Sequence, residues 1–323
     1  MSTSIKKTKP SKKISKNAVK NNPINVGVIG LGIMGSAIAT NLVKSGFTVE
    51  GYDPSLEQQK LLAKAGVKIA KTVEELASHN SLILMSIPSV PVLESSVEAI
   101  AKNSAKGTIV AELSTLPNTA KLAAKEILSK KGINLLDCPL SGTGAQAKTR
   151  DLAIYASGDA KLIKKMEPVF AGFARVNYNV GEFGCGMQMK LIANLLVAIH
   201  NVSAAEAILL GAQMGLDPHK VVDVISDGAG SSRMFQVRGP AMAERSWDDA
   251  TMKIEVWAKD MHLIGEAIKE YSVPTPLFNA CAPIYHAAKA LGHAKRDTAV
   301  VYEVLERWSK PLKTKSTPKS SKK

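Results

Sequence analysis

The chain has 323 residues, about 45% of them hydrophobic, with three cysteines and a formal net charge of +14. That length leaves room for two domains, and that apolar content supports real cores. No apolar run approaches the roughly 18 residues that span a bilayer, because Leu191 to Leu210 is broken by Asn194, His200, Asn201, Ser203 and Glu206. No secretory segment opens the sequence. Cys138, Cys185 and Cys281 are scattered and none stands at metal-ligand spacing. No metal site is expected, and a reduced, cytoplasmic interior fits best.

The charge sits at the ends. Residues 1–22 carry seven lysines and no acid, and residues 309–323 carry six lysines and no acid. Taking those thirteen from +14 leaves about +1 for the body. The expectation is a disordered basic tail over 1–23, another over 309–323, and a nearly neutral body. Such tails solubilise; a sharper possibility is weak, salt-dependent attraction to nucleic acid or acidic lipid.

The body opens on Ile24 to Ile29, a short apolar run that reads as a buried strand. It feeds Gly30-Leu31-Gly32-Ile33-Met34-Gly35, then a helical pattern from Ser36 to Lys44, then a strand from Phe47 to Tyr52 ending at Asp53. In a G-x-G-x-x-G turn the first glycine makes the bend and the second lets backbone approach a pyrophosphate. The third lets helix pack on strand, and the helix start offers free N–H groups to the phosphates. Asp53 lies 18 residues after Gly35, where an acid that binds a ribose 2′-OH belongs. No arginine follows it, so NAD is favoured over NADP, although Lys60 could reach in.

Further buried strands are expected at 67–70, 81–87, 108–113 and 133–137, and the last ones at 151–157 and 174–178, with helices at 56–65 and 73–78. Strands alternating with helices predict an α/β fold with a doubly wound parallel sheet. Ligands bind outside the carboxyl ends of such strands. The turns at Ile87-Pro88, Ser114-Thr115 and Ser141-Gly142 lie there. Each alone is also an ordinary connector.

Beyond Gly181 the pattern is helical: 185–213, then about 218–226, 235–244, 251–270, 276–291 and 295–308. The first helix is apolar on every side and is expected to be buried all round. Lys190 and Asn194 share one of its faces. A buried lysine needs a partner or a task. Lys190 is either a snorkelling side chain or a general acid/base beside an amide that orients substrate. Lys259-Asp260 reads alone as a solvated charge pair.

Taken together these motifs resemble the β-hydroxyacid dehydrogenase family of 3-hydroxyisobutyrate, tartronate-semialdehyde and L-threonate dehydrogenases and glyoxylate/succinic-semialdehyde reductases. The match runs through Gly30 to Gly35, Ile87-Pro88, Ser114-Thr115 with Pro117, and Asp137 to Gly142. It continues through Gly184-x-Gly186-x-x-x-Lys190-x-x-x-Asn194 and Lys259-Asp260. The resemblance implies a Rossmann domain (24–183) and an all-α domain (184–308) joined by a long helix, assembled as a homodimer or homotetramer. It implies Lys190 as catalytic acid/base and Asn194 as a substrate contact. Ser141 and Gly142 would hold a substrate carboxylate; Ile87, Pro88 and Thr115 would line the nicotinamide side. Lys259 would reach the cofactor, and Asp260 would help fix the closed cleft. Thr143 replaces a usual second glycine and should narrow or re-aim the carboxylate pocket. Met252 stands where many members carry phenylalanine, and Ala193 replaces a frequent asparagine. The implied activity is NAD(P)-dependent hydride transfer on a small 3-hydroxy acid or its semialdehyde. Imine reductases share the architecture but lack this lysine. A non-catalytic nucleic-acid or chromatin adaptor using the basic tails is the second alternative.

Overall fold

The computed structural model describes residues 24–309. The expected tails at 1–23 and from 310 onward, with the disorder and nucleic-acid attraction inferred for them, lie outside the described residues. The chain begins β1 (Asn25–Ile29), α1 (Ile33–Lys44), β2 (Thr48–Tyr52), α2 (Leu56–Lys64), β3 (Lys68–Ile69), α3 (Val73–His79), β4 (Leu82–Met85), α4 (Val90–Asn103), β5 (Ile109–Glu112), α5 (Asn118–Ser129) and β6 (Asn134–Asp137). The six strands form one parallel sheet in the order β3-β2-β1-β4-β5-β6. Strand order reverses between β1 and β4, which opens a crevice at their carboxyl ends.

The strands are apolar on both faces because helices cover both. Val26, Val28, Leu84 and Ala111 pack in one core with residues of α1 and of the later segment Ile163 to Phe173. Ile29, Ile83, Met85 and Val110 face the other side with residues of α3, α4 and α5. β3 is only two residues long, shorter than expected, and pairs on one side alone at the sheet edge.

Next come β7 (Leu140–Ser141), α6 (Gly144–Lys148), β8 (Ala153–Ala156), α7 (Ala160–Phe173) and β9 (Val176–Asn179). β8 and β9, expected as the last strands of the parallel sheet, instead form a separate three-stranded sheet with β7. Pro139 cannot donate to a ladder, and beyond it β7 runs antiparallel to β8. The bridge between Asp137 and Ser157 attaches this small sheet to the edge of the large one.

The rest is α8 (Cys185–Gln213), α9 (Pro218–Ser226), α10 (Arg233–Glu244), α11 (Ile254–Tyr271), α12 (Pro276–Ala290), a 3-10 turn at Thr298–Val300 and α13 (Val301–Trp308). α8 packs against all five later helices, and its Ala198, Ala205 and Ile208 lie in a core with Trp257, Tyr285 and Val301. α11 starts three residues later than expected. The backbone N–H groups of Thr251 and Met252 donate to the Asp297 carboxylate at 2.8 and 3.1 Å, which keeps that segment extended. The same contacts hold residues 295–297 outside the predicted last helix.

Two expectations for α8 are corrected. By length and composition it is long and apolar enough to cross a membrane. The polar residues that seemed to break it, Asn194 and Asn201, are instead buried and hydrogen-bonded inside the protein. Nor is it buried all round: Met189, Ile192 and Leu196 lie on one exposed stripe, with Ile192 59% exposed.

Candidate active site

The crevice begins with the glycine turn. Gly30 has φ of +87°, and a Cβ there would stand 2.2 Å from the Ser86 carbonyl oxygen on the neighbouring strand end. A Cβ on Gly35 would stand 1.9 Å from the Gly30 carbonyl oxygen. Gly32 faces open space and begins α1, whose first turn has neither a side-chain cap nor an acid. Its N–H groups are therefore left for an anionic ligand. The turn fits a dinucleotide pyrophosphate on these grounds. The Leu31 side chain is buried in the core, while its backbone N–H donates to Asp53 Oδ2 at 2.7 Å. Asp53 Oδ1 accepts from Ser55 N at 2.9 Å. The acid thus fixes the glycine turn while each oxygen keeps a further lone pair for a ribose hydroxyl.

Lys190 lies one turn into α8 and is 8% exposed. Burial holds its ammonium below the ordinary lysine range; Asp260 opposes that shift and Lys259 adds to it. No carboxylate closes an ion pair with it among the described residues. Asn194 Nδ2 donates to Asp260 Oδ2 at 2.8 Å, tying α8 to α11. Burial also raises the Asp260 carboxyl, against the pull of Lys190 and Lys259. Asp260 is 5% exposed, so the solvated charge pair that its sequence suggested is not what the fold builds.

Two cavities meet at Lys190. One, of about 300 Å³, is lined by Ile33 and Met34 of the glycine turn, Ile87, Thr115, Gly142, Thr143, Met252, Lys259 and Asp260. The other, of about 840 Å³, takes in Ser141, Asn194 and Met252 and runs on into the helical core. Gly142, Thr143, Lys190 and Met252 line both. Gly30, Leu31, Gly32, Gly35, Asp53 and Pro88 line neither. The first five form the turn beside the smaller cavity, and Pro88 is exposed.

A family profile for the NAD binding domain of 6-phosphogluconate dehydrogenase matches residues 25–184. A second, for the NAD-binding domain of NADP-dependent 3-hydroxyisobutyrate dehydrogenase, matches residues 184–305. The chain is 30% identical to the L-threonate dehydrogenase of Cupriavidus necator over 87% of this chain and 95% of that one. The chain belongs to the β-hydroxyacid dehydrogenase family. Among further family members, the 2-(hydroxymethyl)glutarate dehydrogenase of Eubacterium barkeri is 27% identical over 88% of this chain and 95% of its own length. A solved 3-hydroxyisobutyrate dehydrogenase of Salmonella typhimurium superposes with a TM-score of 0.79 at 25% identity, covering 87% of this chain and 99% of that one. An imine reductase of Myxococcus stipitatus, at 19% identity and a TM-score of 0.55, shares the fold alone. As a β-hydroxyacid dehydrogenase the chain carries NAD(P)-binding domains and acts on a small molecule.

Sequence reasoning missed the group that holds this site together. Lys121 on α5 is fully buried. Its Nζ lies 2.6 Å from Glu112 Oε2 and 2.7 Å from Asp137 Oδ1, and donates to the Ser114 carbonyl at 2.8 Å. Burial lowers the lysine's pKa, but the two carboxylates outweigh it and the net shift is upward. Glu112 Oε1 accepts from Ser114 N, and Ser114 Oγ accepts from Ile87 N. On the other side Asp137 Oδ2 accepts from Met187 N at 2.7 Å, and Ser157 Oγ accepts from Gly186 N at 2.9 Å. The first turn of α8 is thus satisfied and its rotation fixed, which sets where Lys190 points. The signal lay in two acids, Glu112 and Asp137, ending adjacent buried strands in register. Such a pair demands a cation.

Removing one partner of a buried ion pair typically costs about 3–5 kcal/mol. Lys121→Met is therefore expected to lower the urea midpoint strongly, with Glu112→Gln added to it recovering part of the loss. A single variant within about 0.5 kcal/mol of wild type would show that the cluster does not anchor the fold.

Proposed function

We propose that the protein is an NAD(P)-dependent oxidoreductase that moves hydride between nicotinamide and a small 3-hydroxy acid or its semialdehyde, with Lys190 as general acid/base. The observation that carries this reading is a lysine, buried and shifted below its ordinary range, at the junction of the two cavities. Relatives named for L-threonate, L-serine and 2-(hydroxymethyl)glutarate support the substrate class. The nicotinamide, when bound, supplies the hydride chemistry. The chain's own residues hold it by the glycine turn and Asp53, with Ile87, Pro88, Thr115 and Lys259 on the nicotinamide side. Ser141, Gly142 and Thr143 orient the substrate carboxylate, while Asn194 and Met252 flank the reacting carbon. Asp260 positions Asn194 by the hydrogen bond between them. In oxidation, neutral Lys190 takes the hydroxyl proton; in reduction, its ammonium returns it.

A Lys190→Met variant is expected to lose turnover by roughly 100-fold or more while still binding NAD, measured by steady-state assay and calorimetry; near-normal kcat would exclude the assignment. The pH sign follows from the lowered pKa. Oxidation needs the neutral amine, so kcat/KM rises with pH and levels off below the ordinary lysine value of 10.5. Lys259→Met removes a like charge, so this limb should move to higher pH; an unmoved limb would argue against Lys190 as the titrating group.

We favour NAD because Asp53 repels a 2′-phosphate. Asp53→Asn keeps an acceptor for Leu31 N and removes the charge. The ratio of kcat/KM for NADP over NAD is expected to rise about 10-fold, and an unchanged ratio counts against the ribose role. We also infer a division near Gly184 into a Rossmann and an all-α domain, a homodimer or homotetramer in solution, and a cytoplasmic location. The exposed apolar stripe of α8 supports the assembly. Ile192→Glu is expected to shift it to monomer in sedimentation velocity; wild-type protein already monomeric at micromolar concentration would refute it.

A further inference from the structure

The segment between α10 and α11 forms a wall of the cleft. Ala250, Thr251, Met252 and Lys253 line the smaller cavity together with Ile33 and Met34 of the glycine turn, and Met252 lines the larger one as well. Residues 246–252 carry no helix or strand, so no ladder answers their N–H groups, and these must find acceptors elsewhere. One acid from the far end of the chain supplies them. Asp297 is 3% exposed. Its Oδ2 accepts from Thr251 N at 2.8 Å, Met252 N at 3.1 Å and Thr251 Oγ1 at 3.2 Å. Buried Arg238 of α10 places Nη1 2.7 Å from Oδ1 and 2.8 Å from Oδ2, and donates to Thr251 Oγ1 at 2.7 Å. Ala299 N donates to Oδ1 at 3.0 Å. Backbone bonds run alongside, from Thr298 N to the Met252 carbonyl and from Ile254 N to that of Arg296.

A carboxylate offers about four lone-pair positions, and these contacts exhaust them. Asp297 has none left for a substrate or a cofactor. We propose that Asp297, paired with Arg238, is a positioning residue for the reaction: it holds segment 250–253 against the cleft and so sets Met252 where acid and nicotinamide meet. The inference rests on the proposed reading of the cleft around Lys190. Lys190 lines the same two cavities as Met252, so a displaced Met252 changes the space in which an acid lies beside the ammonium. A misplacement of about 1 Å in such a site can cost on the order of 100-fold in rate.

Two substitutions separate holding from folding. Asp297→Asn supplies one acceptor oxygen where the carboxylate supplies two, so either Arg238 and Ala299 N or the N–H groups of the segment lose theirs. Thr251→Val is isosteric and removes only the hydroxyl that joins Arg238 to Asp297; Thr251→Ser keeps it. Hydrogen exchange read by mass over residues 249–256 needs no turnover. Exchange is expected to quicken roughly 10-fold in Asp297→Asn and several-fold in Thr251→Val, and to keep the wild-type rate in Thr251→Ser. With NAD and L-threonate or L-serine, for which relatives are named, KM for the acid is expected to rise roughly 10-fold in the first two variants and to be restored in Thr251→Ser. A merely structural defect lowers kcat in proportion to folded protein and leaves that KM unchanged. Should Asp297→Asn not fold, the Thr251 pair carries the test alone. Unchanged exchange, or quickened exchange with the acid KM at its wild-type value, overturns the positioning role. If the wild type oxidises neither acid, calorimetry with NAD replaces KM. Several-fold weaker NAD binding in Thr251→Val then upholds the role of Asp297 while the substrate reading fails, and an unmoved affinity overturns both.

Discussion

A single buried cation organises the carboxyl edge of the sheet. Glu112 and Asp137 end neighbouring strands side by side, and strands are about 4.8 Å apart. At that spacing two bare carboxylates repel by roughly 3 kcal/mol even at an effective dielectric constant of 20. Lys121 sits against both and reverses the sign. Its third bond goes to the Ser114 carbonyl, and the carboxylates spend their other oxygens on Ser114 N and Met187 N. Through these bonds one ammonium sets the Ser114 turn, the Ile87 backbone that Ser114 holds, and the start of α8. The apposition is tight. A Cβ on Gly186 would stand 2.5 Å from the Tyr155 carbonyl and 2.7 Å from that of Asp137, so helix and sheet ends touch backbone to backbone.

The molecule therefore holds two buried lysines with opposite electrostatics. Desolvation is the largest influence on both. At Lys121 two carboxylates in direct contact overcome it, and the lysine stays charged as a structural brace. At Lys190 the one nearby acid, Asp260, is itself pushed toward its neutral form by burial and is occupied by Asn194. Lys259 adds a like charge. Burial alone would not tell these two side chains apart; the contacts around them do. Among the described residues, only the second has no carboxylate in direct contact with its ammonium.

This contrast also marks where sequence reading ran out. The strand-turn-helix around Gly30 to Gly35, the parallel order of the sheet and the helical second half follow from local patterns: apolar runs of β-branched residues, glycines at fixed offsets, and helix-forming stretches bounded by Gly and Pro. Lys190 and Asn194 stood out because a four-residue spacing places them on one helix face, whereas Lys259-Asp260 read alone as a solvated charge pair and only the family resemblance pointed it toward the cleft. Lys121 did not stand out, since on an amphipathic helix with three other lysines within ten residues, Lys125, Lys130 and Lys131, it looks like a solvated charge. Its burial is decided by strands far along the chain. β7 was hidden for a related reason: two residues long, it exists only because β8 lies opposite. The lining of the large cavity is likewise contributed by four separate helices, α8, α10, α11 and α12, and the turn at Thr298, and no window of sequence contains it.

Thr143 shows how a one-residue departure is absorbed. A hydroxyl-bearing residue in place of a second glycine was expected to narrow or re-aim the carboxylate pocket. Thr143 lines both cavities and starts α6, its backbone N–H donating to Gln146 Oε1 at 3.0 Å. Gln146 Nε2 in turn donates to Asp151 Oδ2 at 3.2 Å, and Asp151 pairs with Arg175 and, across the cleft, with Arg233 on α10. That hydrogen bond from Gln146, ahead of the two arginines, holds the Asp151 carboxyl below its usual range. The loop that would grip a substrate carboxylate is thereby linked to the guanidinium pair at the rim. The link between the two halves is an exposed ion pair, a class worth about 0–1 kcal/mol, whereas the Lys121 brace is dry. The cleft is thus rigid on the side where the glycine turn, Ile87 and α8 meet. It is loosely tied on the side where α10 faces the sheet, through the exposed Arg233–Asp151 pair.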